Sequence, residues 1–371
     1  MTALNNQAKA GEEITILSVD AMGGDLGPEA VVAGLERAAF KNPHLSFILH
    51  GDIDQLKPLV ARTTRLAARC DVRDAKRVVS MTDKPSQVMR QGKGTSMWSA
   101  LESVREGEAS GCISCGNTGA LMALSMLRLR KLPGVNRPAI AVLWPSRSPQ
   151  GFNVMLDVGA DIRADAEDLL QYAVMGAAYA RSGLDVAKPR VGLLNVGTEE
   201  HKGRPELHQA NALITDGAKD GTYEYHGFVE GGDIPKNLVD VIITDGFTGN
   251  IALKTGEGTA SLIGDLLKEA FKFSFFSKIA SLLSMSSLRR LGKRIDPRYV
   301  NGGVFIGLNG TVVKSHGSAD ATGIAAAVKL AFQLSKADFN NELATQLAST
   351  ASEAQDTLNT QAEMINTGMN R

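Results

Sequence analysis

Cysteine is scarce: Cys70, Cys112 and Cys115 are the only three in 371 residues. That is too few for a disulfide framework and fits a reducing compartment. Net charge is also absent, because 40 basic residues balance 40 acidic ones. Such a balance excludes a nucleic-acid binder that works by bulk electrostatics. No run of about 18 uncharged apolar residues occurs, so no membrane-spanning helix is expected. The opening MTALNNQAKAGEE lacks the basic region and apolar stretch of a signal peptide, and the chain is expected in the cytoplasm. Nucleotide fingerprints are missing too. AMGGDLGPE lacks the G-x-G-x-x-G spacing, and in QGKGTS a glycine, Gly94, follows the lysine where a P-loop requires Ser or Thr. Cys112 and Cys115 have no further pair of ligands at suitable spacing, so no zinc site and no cofactor is expected.

What is present is alternation. Apolar, β-branched runs such as ITILSVD, LSFILHG, AIAVLWP, RVGLLNVG and LVDVIITDG take turns with helical patterns, several of them opened by proline or a small polar cap. This order predicts one α/β/α domain, doubly wound around a mostly parallel sheet, over residues 13–340. Residues 1–12 are expected to be a flexible N-terminus. Residues 341–371, rich in Thr, Asn, Gln, Ala and Ser, are expected to be an extension, helical or disordered. No internal repeat is evident.

The strand-like runs end alike. SVDAMGGD, SCGNTGA, LDVGAD, NVGTEEHKG, TDGFTGN and SHGSAD each supply glycine beside small polar groups. Any one of them is an ordinary capped βα loop. As a set they predict one polar cleft at the carboxyl edge of the sheet, where backbone N–H groups and helix N-termini meet an anion.

Several of these segments also carry a resemblance. VDAMGGDLGP, GNTGALMA, NVGTEEHKG, DGFTGNIALKTGEG and GLNGTVVKSHGSADA together resemble the bacterial phosphate acyltransferases, acyl-acyl-carrier-protein:phosphate transacylases of phospholipid synthesis, from about residue 14 to 335. The resemblance implies a homodimer that transfers a long-chain fatty acyl group from acyl carrier protein to inorganic phosphate. The acyl phosphate product would feed a downstream acyltransferase. Cys112 and Cys115 depart from the small residues expected there. Alternatives are a phosphate acetyltransferase using acyl-coenzyme A and a non-catalytic anion- or acyl-binding protein. A dehydrogenase is weakened by the missing dinucleotide fingerprint.

With phosphate as nucleophile, such a transfer needs no covalent enzyme intermediate. The site must supply orientation, N–H donors, one or two cations and, for monoprotonated phosphate, a base. The candidate catalytic residues are Lys202, Asn195, His316 and Asn250. Candidate binding residues are Gly23, Gly24, Lys93, Thr95, Ser96, Asn117, Thr118, Gly197, Thr198, Asp245, Gly246, Thr248 and Gly249. Each has a plainer reading, as a solvated lysine, a cap or a loop residue. Cys115 is expected not to be an acyl-enzyme nucleophile.

Residues 255–296 predict a projecting helical hairpin. Phe271, Phe275, Ile279, Leu282 and Leu283 recur at helical spacing opposite Ser274, Ser277, Ser281 and Ser284. Six basic residues and no acidic one lie between Lys272 and Arg294. Phe275, Phe276, Arg289, Arg290, Lys293 and Arg294 are therefore candidates for contact with the carrier protein or an anionic lipid surface. A core helix with solvated lysines is the plain alternative. The family resemblance implies a dimer contact and weak peripheral membrane association.

Overall fold

The structure, a computed structural model, describes residues 14–199, 201–295, 302–336, 339–341 and 343–347. The expected flexible N-terminus and the extension beyond residue 347 lie outside them. The strands are β1 (Thr15–Asp20), β2 (Leu45–Gly51), β3 (Cys70–Asp74), β4 (Gly111–Ser114), β5 (Ala139–Pro145), β6 (Phe152–Leu156), β7 (Arg190–Leu194), β8 (Glu224–Val229), β9 (Val241–Ile243), β10 (Gly303–Ile306) and β11 (Thr311–Lys314). Between them run α1 (Gly27–Lys41), α2 (Ile53–Ala61), α3 (Pro85–Gln91), α4 (Ser96–Arg105), α5 (Thr118–Arg128), α6 (Ala166–Leu184), α7 (Pro205–Gly217), α8 (Gly246–Lys272), α9 (Phe275–Leu283) and α10 (Met285–Ile295), and α11 (Ala321–Lys336) follows β11.

All these strands join one sheet, in the order β3-β2-β1-β4-β11-β10-β5-β6-β9-β7-β8. Its direction changes in the middle. β3, β2, β1, β4 and β11 run parallel, and so do β6, β9, β7 and β8. The pairs β11–β10, β10–β5 and β5–β6 are antiparallel, three reversals in all, so the two parallel sets point in opposite directions. An approximate two-fold axis between β10 and β5 then exchanges β11, β4 and β1 with β6, β9 and β7. The following helices agree with it: α5 comes after β4 and α8 after β9, with Gly116–Gly119 running into α5 and Gly246–Gly249 opening α8.

Each strand sends alternate side chains to opposite faces. Leu17, Val19, Val304, Ile306 and Val313 pack with α1, α6, α7 and α11. Ile140, Phe305, Val312 and Cys112 pack with α4 and α5 on the other face. Cys115 belongs to the first core and Cys112 to the second, so the C-x-x-C spacing makes no thiol pair. The chain after α11 returns to the core: residues 339–341 and 343–347 are helical, and Phe339, Leu343 and Leu347 are buried. Phe339 meets the Tyr179 ring edge-on at 6.1 Å.

At 27 residues, α8 is about 40 Å long, more than the sheet can cover. Only Gly246 and Gly249 of this helix are buried. Its outer part continues into α9 and α10 as an arm, on which Phe273, Phe276 and Leu283 are 90%, 81% and 80% exposed. Ser274, Ser277 and Ser281 lie on the more covered side. No helix among the described residues is long and apolar enough to cross a membrane. Arg290 is exposed; the side chains of Arg289, Lys293 and Arg294 lie outside the described residues.

Candidate active site

Strand direction divides the expected cleft. The ends of β1, β4 and β11 lie on one edge of the sheet, here the upper edge, and the ends of β6, β7 and β9 lie on the opposite, lower edge. Gly23, Gly24, Thr95, Ser96, Asn117, Thr118 and His316 are brought together above. Asn195, Gly197, Thr198, Lys202, Asp245, Gly246, Thr248, Gly249 and Asn250 gather below. The expectation of six endings on one edge is thus corrected to three and three. Period and turn residues carry no information about which way a strand runs.

On the upper edge, Asp20 closes β1 and is 1% exposed. Its carboxylate accepts hydrogen bonds from Ser114 Oγ at 2.7 Å and the Met22 N–H at 3.3 Å. Burial pushes its pKa up, and Ser114, the nearby Ser96 hydroxyl, the Met22 N–H and Lys314 pull it back. Ser96 stands close without a hydrogen bond of good geometry. Gly23 must be glycine, because a Cβ there would lie 2.5 Å from Asp20 Oδ2 and 2.9 Å from the Gly116 backbone. The β1 and β11 loops are stitched together by Asp25 N–H to Gly317 O at 2.8 Å.

Helix starts follow directly. Thr95 caps α4 by accepting from the Trp98 N–H, and Asn117 caps α5 by accepting from the Ala120 N–H. Both Asn117 N–H donors are spent on the carbonyls of Met81 and Asp83, at 2.9 and 3.0 Å, so this amide orients a loop. Thr118 is exposed at the first turn of α5. His316 Nδ1 lies 2.8 Å from Ser318 Oγ. Lys93 is exposed in the turn ahead of α4. The N-termini of α1, α4, α5 and α11 therefore lie along the upper edge, with their positive dipole ends by the ends of β1, β4 and β11.

Sequence reasoning missed Lys314. It ends β11, is 9% exposed, and donates to Cys115 O at 3.1 Å and to Ser315 O. Burial, more than any charge, lowers its pKa to about 8. The signal was a lysine closing the otherwise apolar strand TVVK. Beside it, Cys115 is 3% exposed, and burial pushes its thiol up to about 11.

The lower edge is occupied by its own side chains. Asp157 is fully buried, and accepts from the N–H groups of Ile140, Ala160 and Asp161 at 2.7–3.1 Å. Gly246 and Gly249 let α8 press on it: Cβ atoms there would lie 2.5 Å from Asp157 Oδ2 and 1.9 Å from Asp157 O. Asp245 caps α8 through the Thr248 N–H and also binds the Thr248 hydroxyl and Arg204. Lys202 pairs with Glu199 at 2.7 Å, which raises its pKa, and Asn195 holds Lys202 O at 3.0 Å. Gly197 leaves room for the Lys202 stem, Thr198 is exposed, and Asn250 packs over Gly159. The lower cations thus already have carboxylate partners.

These features define an α/β protein whose upper strand edge gathers glycine turns and capped helix N-termini. The model of the fatty acid synthesis protein family matches residues 15–342. The phosphate acyltransferase of Paracoccus denitrificans is 69% identical over 339 residues, 91% of this chain and 92% of the relative. That of Ruegeria pomeroyi is 66% identical over 356 residues, 96% of each. The phosphotransacetylase of Streptococcus pyogenes shares the fold, with a TM-score of 0.55 at 18% identity, over 86% of this chain and 94% of that one. The chain belongs to the phosphate acyltransferase family, enzymes that transfer acyl groups.

Burial lifts the Asp157 carboxyl to about 6 from 3.8, against the pull of the surrounding N–H donors. Between those values the folded protein keeps a proton that the unfolded chain has shed, so this group makes stability fall as pH rises and has no further effect above about 6. Wild type should lose about 3 kcal/mol relative to Asp157→Asn across that window. Urea unfolding of both proteins from pH 4 to 7 checks it; a pH-independent difference would contradict the assignment.

Proposed function

We propose that the upper strand edge binds inorganic phosphate and that the chain moves a long-chain fatty acyl group onto it from an acyl-carrier-protein thioester. The observation that carries this reading is the placing of four helix N-termini, those of α1, α4, α5 and α11, along one strand edge, without a nucleotide motif. The phosphate oxygen attacks the thioester carbonyl, a C–O bond forms, the C–S bond breaks, and the proton of monohydrogen phosphate ends on the departing sulfur. Backbone N–H groups hold the anion against the carbonyl and answer the charge of the tetrahedral oxyanion. His316, on the same edge, is the candidate to carry the proton. The product, an acyl phosphate, would be consumed by a second acyltransferase of phospholipid synthesis. Homodimerisation, with carrier-protein or peripheral membrane contact through the arm, belongs to the same reading. The exposed phenylalanines beside Lys278 and Arg290 support it, since aromatic and basic side chains together suit acidic partners and anionic headgroups.

A carrier-protein donor is favoured over coenzyme A by this basic arm, which a small soluble thioester would not need. Phosphate-dependent loss of long-chain acyl carrier protein, with hydroxylamine trapping of the product, should be seen with wild type and be reduced at least about a hundredfold in Gly23→Ala, whose methyl group would displace the cradle. A clear preference for acetyl-coenzyme A would overturn the donor assignment. Cys115→Ala should retain turnover, since a buried thiol so high in pKa is a poor nucleophile; loss of activity in a folded variant would restore the acyl-cysteine route. In liposome flotation with anionic vesicles, Phe275→Glu/Phe276→Glu should stay at the bottom while wild type rises. Identical behaviour removes the membrane contact.

A further inference from the structure

One peptide bond on the upper edge is held at both ends. The carbonyl oxygen of Cys115 and the N–H of Gly116 belong to a single planar unit just beyond β4. Lys314 Nζ donates to the Cys115 oxygen at 3.1 Å, and Ser114 Oγ accepts from the Gly116 N–H at 3.0 Å. Ser114 can accept because its own hydrogen goes to Asp20 Oδ2 at 2.7 Å, and an ammonium can only donate, so the polarity of both ends is set. Turning the peptide over would put the N–H against the ammonium, and the carbonyl against an oxygen whose hydrogen is already given. The sheet spaces the three holders, since Asp20 pairs in register with Ser114 and Ser114 with Lys314. All three are buried, where such bonds are strong.

Packing alone would not hold this unit. Gly116 has to be glycine, because a Cβ there would lie 2.6 Å from Met97 Cε and 3.2 Å from Ser114 Oγ. The β1 turn presses on it as well, so that a Cβ on Gly23 would lie 2.9 Å from Gly116 N. The crowding that demands glycine also removes the side chain that would restrict the backbone here. Directly afterwards the chain enters α5. Asn117 caps that helix through the Ala120 N–H, while the N–H groups of Thr118 and Gly119, both exposed residues, have no acceptor among the described residues. Where those two donors point depends on how the chain leaves Gly116.

We infer that Lys314 and Ser114, the latter steered by Asp20, are positioning residues for the acyl transfer: they lock the Cys115–Gly116 peptide and thereby aim the first N–H groups of α5 at the acceptor phosphate. This deepens the reading given under Proposed function and rests on it. None of the three side chains has to touch the substrate. Donors already set in place bind an anion, and answer charge developing on it, without first being ordered. A peptide free to turn would spend part of the phosphate binding energy on that ordering. The loss should therefore fall on phosphate and spare the thioester, since the lock governs only the donors that meet the anion.

The peptide can be watched by itself, because Cys115–Gly116 is the only Cys–Gly step in the 371 residues. The full chain, labelled with carbonyl-13C cysteine and 15N glycine, gives one NMR signal for this unit. Calorimetric titration with inorganic phosphate and steady-state kinetics in both substrates complete the test. Ser114→Ala, which removes one oxygen and leaves the packing nearly intact, should shift that signal and speed exchange of the Gly116 N–H. The phosphate dissociation constant and the phosphate KM should both rise about tenfold, the worth of one buried hydrogen bond, while the thioester KM stays put. Lys314→Met should act in the same direction from the other end of the peptide. An unmoved signal in both variants overturns the lock. So does unchanged phosphate affinity in a Ser114→Ala whose signal has moved, or a thioester KM that rises in step with that of phosphate. If wild type binds phosphate, Ser114→Ala binds it weakly and no thioester is turned over, the lock stands and the acyl-transfer reading falls. Wild type that binds no phosphate ends both.

Discussion

Everything in this molecule is arranged by the antiparallel pairing of β10 with β5 at the centre of the sheet. Three residue pairs, Val304–Ala141, Phe305–Ile140 and Ile306–Ala139, set it. With the reversals on either side of it, this pairing turns one parallel half upside down against the other. The consequence is a sheet with two carboxyl edges rather than one. Each edge receives its own set of glycine turns, caps and helix N-termini, and each could in principle face an anion.

Chemistry breaks the pseudo-symmetry. Both edges place a buried carboxylate under a glycine that nearly touches it, Asp20 beneath Gly23 and Asp157 beside Gly246, each with a Cβ-to-oxygen approach of 2.5 Å. Below, Asp245, Glu199 and the N–H ring around Asp157 consume the local cations and donors. Above, Lys314 is held by the carbonyls of Cys115 and Ser315. A carboxylate costs free energy to bury, so in both places the surrounding donors exist to hold the loop, not to meet a substrate. What distinguishes the upper edge is a buried lysine held by backbone carbonyls.

α8 is the element that undoes the separation imposed by the sheet. Its capped start belongs to the lower edge, its middle lays Gly256 against the Trp144 ring near the upper end of β5, and its outer part leads into the exposed phenylalanines of the arm. A helix of this length is rigid on the scale of a domain, so it relates the sheet to the apolar arm without any intervening loop. An acyl substrate has two ends of opposite character, and one helix that touches both regions suits such a substrate.

Residues alone determined a good deal. The alternation of apolar runs and helical patterns specified the layered α/β architecture, because burial on both sheet faces demands it. Glycine and cap residues marked the strand ends, since Gly23, Asn117 and Asp245 answer to local backbone geometry. The family motifs, which lie along the chain, were legible for the same reason. Tertiary structure decided which ends share an edge, that Lys202 is already paired, and that Phe339, Leu343 and Leu347 return to the core. It also decided that Lys314, which closes β11, is buried against the carbonyls of Cys115 and Ser315. Strand direction and pairing partner depend on contacts between residues far apart in the chain, and no local pattern of polarity or turn chemistry records them.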